Sequence, residues 1–252
     1  MSKRRPDPAE RIAELLRGFK LPTMADELVP RLCTAGHEGA LVTIAEVLDL
    51  EEDARQGRRV ERLRRAARLP EGKTFDTFDE ARLSPTVLRK IRDLESGDFL
   101  DQAINVLAFG LPGVGKSHAL AALGHRLVRH GRAVLWTPTY TLIQELLAAK
   151  RDLSLPKMLR RLDHFELVIL DDIGYVNQSA DEAEVLFTLL AERYERRSTA
   201  LSSNLVFSEW DRIFKNKMAT SAAIDRLIHH SVVLEFDVPS YRTEKARARK
   251  KE

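Results

Sequence analysis

The sequence predicts an α/β protein: a parallel sheet flanked by helices, preceded by a small helical domain. Three observations carry that expectation. From Gln102 onward, short apolar runs at 104–109, 133–136, 166–170, 199–203 and 232–236 alternate with helical stretches. Strands buried on both faces and joined by crossover helices read this way. The first run leads straight into Gly110-Leu111-Pro112-Gly113-Val114-Gly115-Lys116-Ser117, which fits G-x-x-x-x-G-K-[ST] at every fixed position. Residues 1–70, by contrast, show apolar residues three and four apart, the spacing of amphipathic helices.

Taken in order, residues 1–8 hold two prolines and mixed charge and read as an irregular start. Ile12, Leu15, Leu16 and Phe19 share one face of a helix over 9–20, which Gly18 weakens and Pro22 ends. Met24, Leu28 and Leu32 continue the period, and Pro30 is expected to interrupt it. Gly36 and Gly39 mark a turn. Ala40 to Ala67 reads as helix for most of its length, with one apolar stripe at Leu41, Ile44, Val47 and Leu48 and another at Val60, Leu63 and Ala67. Pro70-Glu71-Gly72-Lys73 closes this domain. Residues 71–100 form a connector expected to pack onto the sheet domain, with Phe75, Phe78 and Phe99 and a helix from Pro85 to Leu94. The sheet domain occupies 101–241, and 242–252 is a basic tail.

Composition sets limits. With 44% hydrophobic and 31% charged residues in 252, the chain reads as a soluble globular protein. No run approaches the ~18 apolar residues of a membrane span, so no membrane partner is expected. The basic start is not followed by the apolar core of a secretory signal. The single cysteine, Cys33, excludes an internal disulfide, fits a reducing cytoplasm, and stands in an apolar context that reads as packing. No His/Cys spacing forms a zinc site, and His229 and His230 read as capping or packing residues.

Net charge is only +3, but the positive charge is clustered: residues 55–68 hold seven Arg and one Glu, and residues 242–252 hold six Lys or Arg and two Glu. Arg58, Arg59, Arg62, Arg64, Arg65 and Arg68 fan over the arc away from the Val60-Leu63-Ala67 stripe. Such a helix packs a narrow seam and presents guanidinium groups to phosphates, which makes these six the candidate contacts to a polyanion such as DNA. A solvated arginine face is the plain alternative.

The glycine loop sits between strand and helix, the context in which this pattern cradles a nucleotide. Gly110, Gly113 and Gly115 let the backbone turn and aim N–H groups at phosphate oxygens, and the helix N-terminus adds partial positive charge. Candidate nucleotide contacts are Gly110, Leu111, Pro112, Gly113, Val114, Gly115, Lys116, Ser117 and His118. Lys116 would reach the β- and γ-phosphates of ATP, and Ser117 would ligate Mg²⁺. About 55 residues on, Leu167-Val168-Ile169-Leu170-Asp171-Asp172 has the form of a strand delivering acids opposite the loop. Asp171 would hold the metal and Asp172 would polarise the attacking water. A strand ending in an Asp turn is the alternative.

Two further candidates lie downstream. Asn204, at the tip of the 199–203 strand, could hydrogen-bond the γ-phosphate or the attacking water, or could simply be a turn residue. Arg226, in Ala223-Ile224-Asp225-Arg226-Leu227-Ile228-His229-His230, could serve a neighbouring subunit's nucleotide. A local salt bridge at Asp225 is the alternative reading there. Arg193 and Arg197 are the fallback fingers.

Together these segments resemble the IstB-like insertion-sequence transposition helpers, kin of the DnaC helicase loader, both AAA+ P-loop ATPases. The residues that carry the resemblance are Gly110–Ser117, Leu170-Asp171-Asp172-Ile173-Gly174-Tyr175, Arg193–Thr199, Ser203-Asn204-Leu205 with Trp210, Ala223–His230 and Ser240-Tyr241-Arg242. Leu21–Ala25 and Arg58–Leu69 look like the family's helical domain. The resemblance implies a Mg²⁺-dependent ATPase that forms a homo-oligomer on double-stranded DNA, with nucleotide at subunit interfaces, and that assists a cognate transposase. It implies Asn204 as γ-phosphate sensor, Arg226 as finger in trans, and no C-terminal helical lid. Many AAA+ proteins carry Glu where Asp172 stands. Two competing functions remain open: a loader of a replicative helicase, and a DNA scaffold for which hydrolysis is incidental.

Overall fold

The computed structural model describes residues 7–173, 179–205, 209–210, 225–241 and 244. They fall into two compact units, Met1–Glu61 and Arg62–Glu252. The boundary lies inside a long helix, where the sequence places the domain edge at residue 70. Gly174-Tyr175, Ala223-Ile224, Arg242 and almost all of the basic tail lie outside the described residues.

The first unit contains α1 (Pro8–Gly18), α2 (Pro22–Thr34) and the first part of α3 (Ala40–Ala67). Asp7 caps α1 by accepting from the Ala9 N–H, and Pro8 occupies the first turn, where no N–H is needed. Ile12 and Leu16 are fully buried against Ala25 and Ala45. Arg11 ties α1 to α3, donating through Nε and Nη2 to Asp49 and reaching Glu52 at 2.7 Å.

Two expectations fail in α2. The helix runs through Pro30. The missing N–H forfeits one helix bond, and Thr34 Oγ1 donates to the Pro30 carbonyl at 2.9 Å. Cys33 is exposed, not packed. It stands one turn past Val29, which packs against the unit's core.

The second unit is built on five parallel strands: β1 (Asn105–Gly110), β2 (Val134–Pro138), β3 (Leu167–Asp171), β4 (Ser198–Ser203) and β5 (Ser231–Phe236), in the order β2-β3-β4-β1-β5. Every expected strand is present, within two residues of its expected ends. Alternation sorts each strand onto two faces. Val106 and Ala108, Leu167 and Ile169, and Ala200 face one cluster, filled by α4 (Pro85–Leu94) through Val87, Ile91 and Leu94 and by α6 (Lys116–Arg129) through Leu120, Leu123 and Leu127. Leu107 and Phe109, Val168 and Leu170, and Leu201 face the other, filled by α7 (Thr139–Arg151) and α9 (Ala180–Arg193). Each fully buried Leu or Ile contributes about 1.5–3 kcal/mol, which makes this double layer a firm platform.

Ahead of β1 the second unit makes short elements. Leu63, Ala67 and Leu69 from the end of α3 and just beyond it pack with the α4/α6 cluster. The connector forms two 3₁₀ turns, Phe75–Thr77 and Glu80–Arg82, then α4 and α5 (Asp98–Asp101). Phe75 and Phe78 pack on the same cluster, as expected of a connector docked on the sheet domain. The unit's other layer also holds α8 (Leu155–Asp163), which precedes β3.

Buried polar side chains lock the strand starts. Asn105 accepts from the Thr199 N–H at 2.9 Å and donates through Nδ2 to the Leu227 carbonyl. Arg193, 2% exposed, donates to the carbonyls of Leu162, Phe165, Glu166 and Ser198. It therefore joins the end of α8 and the entry of β3 to β4. This removes Arg193 as a fallback finger: its guanidinium is consumed inside its own fold.

Candidate nucleotide-binding site

The site forms where β1, β4 and β3 end side by side. Gly110 closes β1 at φ +147°, and a Cβ there would stand 2.4 Å from the Phe236 carbonyl of β5. Only glycine lets the loop leave the strand at that point. Gly115 at φ +104° is the N-cap of α6, and a Cβ on it would press Phe78 at 3.3 Å. The loop thus passes directly onto a helix N-terminus, where N–H groups and the helix dipole favour an anion.

Lys116 is 8% exposed, and its Nζ donates to the Gly110 carbonyl at 2.7 Å and the Leu111 carbonyl at 2.9 Å. The ammonium is held at the mouth of the loop by the loop's own carbonyls. Gly113, Val114, Gly115, Lys116, Ser117 and His118 line one cavity of about 380 Å³. Its other walls come from the connector, through Thr77, Phe78, Arg82 and Leu83, and from Tyr241 beyond β5. Leu111 stands 71% exposed outside that lining.

His118 faces the connector. Its Nε2 lies 3.0 Å from the Thr74 carbonyl and 3.1 Å from Thr77 Oγ1, and its ring meets Phe78 at 5.1 Å. Burial pushes its pKa below the ordinary imidazole value, against the pull of the Thr74 carbonyl. The neutral ring therefore suits the fold. On acidification the unfolded chain takes up this proton first, so the stability His118 supplies is present above pH 6.5 and lost as pH falls below it. Between pH values about one unit above and one below that point, the melting temperature of the parent should drop by more than that of His118→Gln. Equal drops would clear His118 of this role.

The acidic pair sits across β4 from the loop. Asp171 ends β3 half-buried, and its Oδ1 accepts from Ser202 Oγ at 2.6 Å. Its backbone carbonyl accepts from Thr139 Oγ1 at 2.9 Å. Asp172 takes φ +63° and is exposed, with its N–H donating to the same Ser202 Oγ at 2.8 Å. A left-handed non-glycine residue costs roughly 1–2 kcal/mol, and the Ser202 bond helps offset it. Ser202 on β4 therefore fixes both acids, donating its proton to one and accepting from the backbone of the other. In the sequence Ser202 reads only as part of a strand. The polar pair Ser202-Ser203 at the tip of an apolar run is the signal that could have found it.

Asn204 follows β4, whose Ser203 pairs with Phe109 of β1 and whose Leu201 pairs with Leu170 of β3. Its Oδ1 is buried with no hydrogen-bond partner among the described residues. Such an orphan beside a phosphate loop fits a ligand or water that completes it. Ser117 and Asp171 offer hydroxyl and carboxylate oxygens, the donor chemistry that suits Mg²⁺. Arg226 lies elsewhere: its guanidinium sits 4.9 Å from the Phe187 ring of α9, with Nη1 buried and without a hydrogen-bond partner among the described residues. Nearby, Tyr194 Oη is 3.0 Å from His229 Nδ1, and Glu195, His229 and His230 cluster at the surface. The six candidate DNA contacts are all exposed on or just beyond α3, with Arg58 pairing Glu51 at 3.1 Å and Arg68 pairing Glu145 at 3.5 Å. No helix among the described residues is long and apolar enough to cross a membrane.

A five-stranded parallel sheet with β4 between the loop strand and the acid-bearing strand, and a G-x-x-x-x-G-K-S loop running onto a helix, has the arrangement of a P-loop nucleotide-binding protein. The chain belongs to the IstB-like ATP binding protein family, which matches residues 15–249. It is 39% identical over 240 residues to an insertion sequence ATP-binding protein of Sinorhizobium fredii, covering 94% of this chain and 80% of that one. It is 38% identical over 201 residues to the ATP-binding protein of insertion sequence IS21 from Pseudomonas aeruginosa, covering 79% and 76%. Among solved structures, the DnaC helicase loader matches with a TM-score of 0.57 at 18% identity, covering 66% of this chain and 98% of that one. DnaI matches equally, with a TM-score of 0.57 at 18% identity over 69% of this chain and 94% of that one. These last two likenesses concern the fold.

Proposed function

We propose that this chain is an ATP-dependent DNA-binding regulator that gathers on double-stranded DNA and helps the transposase of its insertion sequence select or attack a target. The observation that carries the reading is the exposed arginine face of α3 in a chain that also holds a complete phosphate loop. Membership of an insertion-sequence ATP-binding family supports a transposase as partner over a replicative helicase.

ATP would lie with its phosphates on Gly110–Ser117, its charge met by Lys116 and the N-terminus of α6. Mg²⁺, held by Ser117 and Asp171, would neutralise phosphate charge. Asp172, turned outward by its left-handed backbone, would accept a hydrogen bond from the attacking water, and Asn204 would orient that water or the γ-phosphate. Arg226 would have to leave Phe187 to act on a neighbour's nucleotide, so docking of a second copy would be the event that completes the site. Hydrolysis on this reading is stimulated by DNA because DNA brings copies together.

The test measures ATP turnover and particle size with and without duplex DNA, together with the salt dependence of binding. Phosphate contacts release counterions, so affinity should fall steeply as salt rises. Replacing Arg62, Arg64 and Arg65 together by alanine should weaken binding to all sequences and reduce the log–log salt slope by about 2–3. An unchanged slope would assign the arginine face to another partner.

A further inference from the structure

Tyr241 and its neighbours enter no part of the phosphate chemistry, yet they close the cavity. The chain beyond β5 returns to the glycine loop, and the Tyr241 N–H donates to the Gly113 carbonyl at 3.0 Å. Arg82, from the second 3₁₀ turn of the connector, holds this segment three ways. Its Nη2 donates to the Pro239 carbonyl at 2.9 Å and pairs with Glu244 at 2.7 Å, and its guanidinium lies 5.3 Å from the Tyr241 ring. A cation over an aromatic face fixes the ring as well as the backbone. The Tyr241 side chain nonetheless stays 44% exposed on the cavity wall.

The cavity, of about 380 Å³, has both polar and apolar walls. The loop and Lys116 offer groups for phosphate. Phe78, Leu83 and Tyr241 offer apolar surface beside them. Flat aromatic faces there suit a purine, since base–aromatic stacking needs no hydrogen-bond pattern. We infer that Tyr241 contacts the nucleoside of a purine triphosphate and that Arg82 is the positioning residue that holds Tyr241 against the glycine loop. This rests on the reading that the loop binds ATP, and it adds where the base is recognised.

Calorimetric titration of the full chain with Mg²⁺-ATP and with Mg²⁺-tripolyphosphate separates contacts to the phosphates from contacts to the nucleoside. The parent should bind ATP more tightly than tripolyphosphate. Tyr241→Ala and Arg82→Ala should each weaken ATP by about ten- to a hundredfold and leave tripolyphosphate affinity unchanged. Tyr241→Phe, which keeps ring and backbone, should bind ATP as the parent does. The double alanine variant should be no weaker than Tyr241→Ala, because Arg82 acts through that ring. Parent-like ATP affinity in Tyr241→Ala overturns the inference, and so does an equal loss for both ligands, which would mark a structural role. Should Arg82→Ala fail to fold, the exposed Tyr241 carries the test alone. A parent that binds tripolyphosphate and ATP equally defeats only the base contact. A parent that binds neither defeats the ATP reading itself.

Discussion

Lys116→Ala should lose ATP affinity by about 10²- to 10⁴-fold, the equivalent of two charge-assisted hydrogen bonds to phosphate at roughly 1.5–3 kcal/mol each. The fold should survive the change. Lys116 Nζ donates to two carbonyls of the glycine loop, Gly110 and Leu111, and water can replace it there. The variant should therefore melt close to the parent while nucleotide no longer raises its melting temperature. On the proposed function it should also fail to form larger particles on DNA under ATP. Retained assembly would separate DNA binding from the nucleotide and favour a passive scaffold. Thermal shift with and without Mg²⁺-ATP, then sedimentation on duplex DNA, reads both outcomes.

Arg193→Met should be among the most destabilising single changes in the sheet domain, by about 3–5 kcal/mol, because it strips a buried donor from several acceptors at once. Burial pushes the guanidinium pKa down to about 9, with Asp163 pulling it back up, so it remains charged at neutral pH. Four carbonyls, from Leu162, Phe165, Glu166 and Ser198, accept its protons. Methionine fills the volume but leaves those oxygens dry and unpaired. Lysine supplies three donors on one nitrogen and cannot span the same fan, so Arg193→Lys should recover only part of the loss. Against a typical total of about 5–15 kcal/mol, the methionine variant stands near the edge of folding. Urea unfolding measures it directly. A loss below about 1 kcal/mol would show that water reaches these carbonyls.

The strands of this fold are legible in the sequence because each is a short apolar run, and the alternation within it already sorts residues to two faces. The loop is legible because three glycines, a lysine and a serine must fall at fixed spacing. What the sequence conceals are polar residues whose partners are remote. Asn105 looks like the ragged start of a strand, and its partners are Thr199 and Leu227. Ser202 looks like a strand residue, and it clasps Asp171 and Asp172, some 30 positions away. Arg193 carries a charge that suggests a surface role, yet it is 2% exposed. No periodicity marks such residues, because one buried hydrogen bond depends on where the chain returns. Pro30 misleads differently: a proline inside a helix removes one backbone bond but need not end the helix, and α2 continues past it to Thr34.

The interposition of β4 bears on biosynthesis. The glycine loop is translated early and the paired acids come later, but their strands never touch; a third segment, made later still, must slide between them. An elongating polypeptide on the ribosome therefore carries the loop strand and the acid-bearing strand unjoined until β4, which ends at Ser203, has emerged.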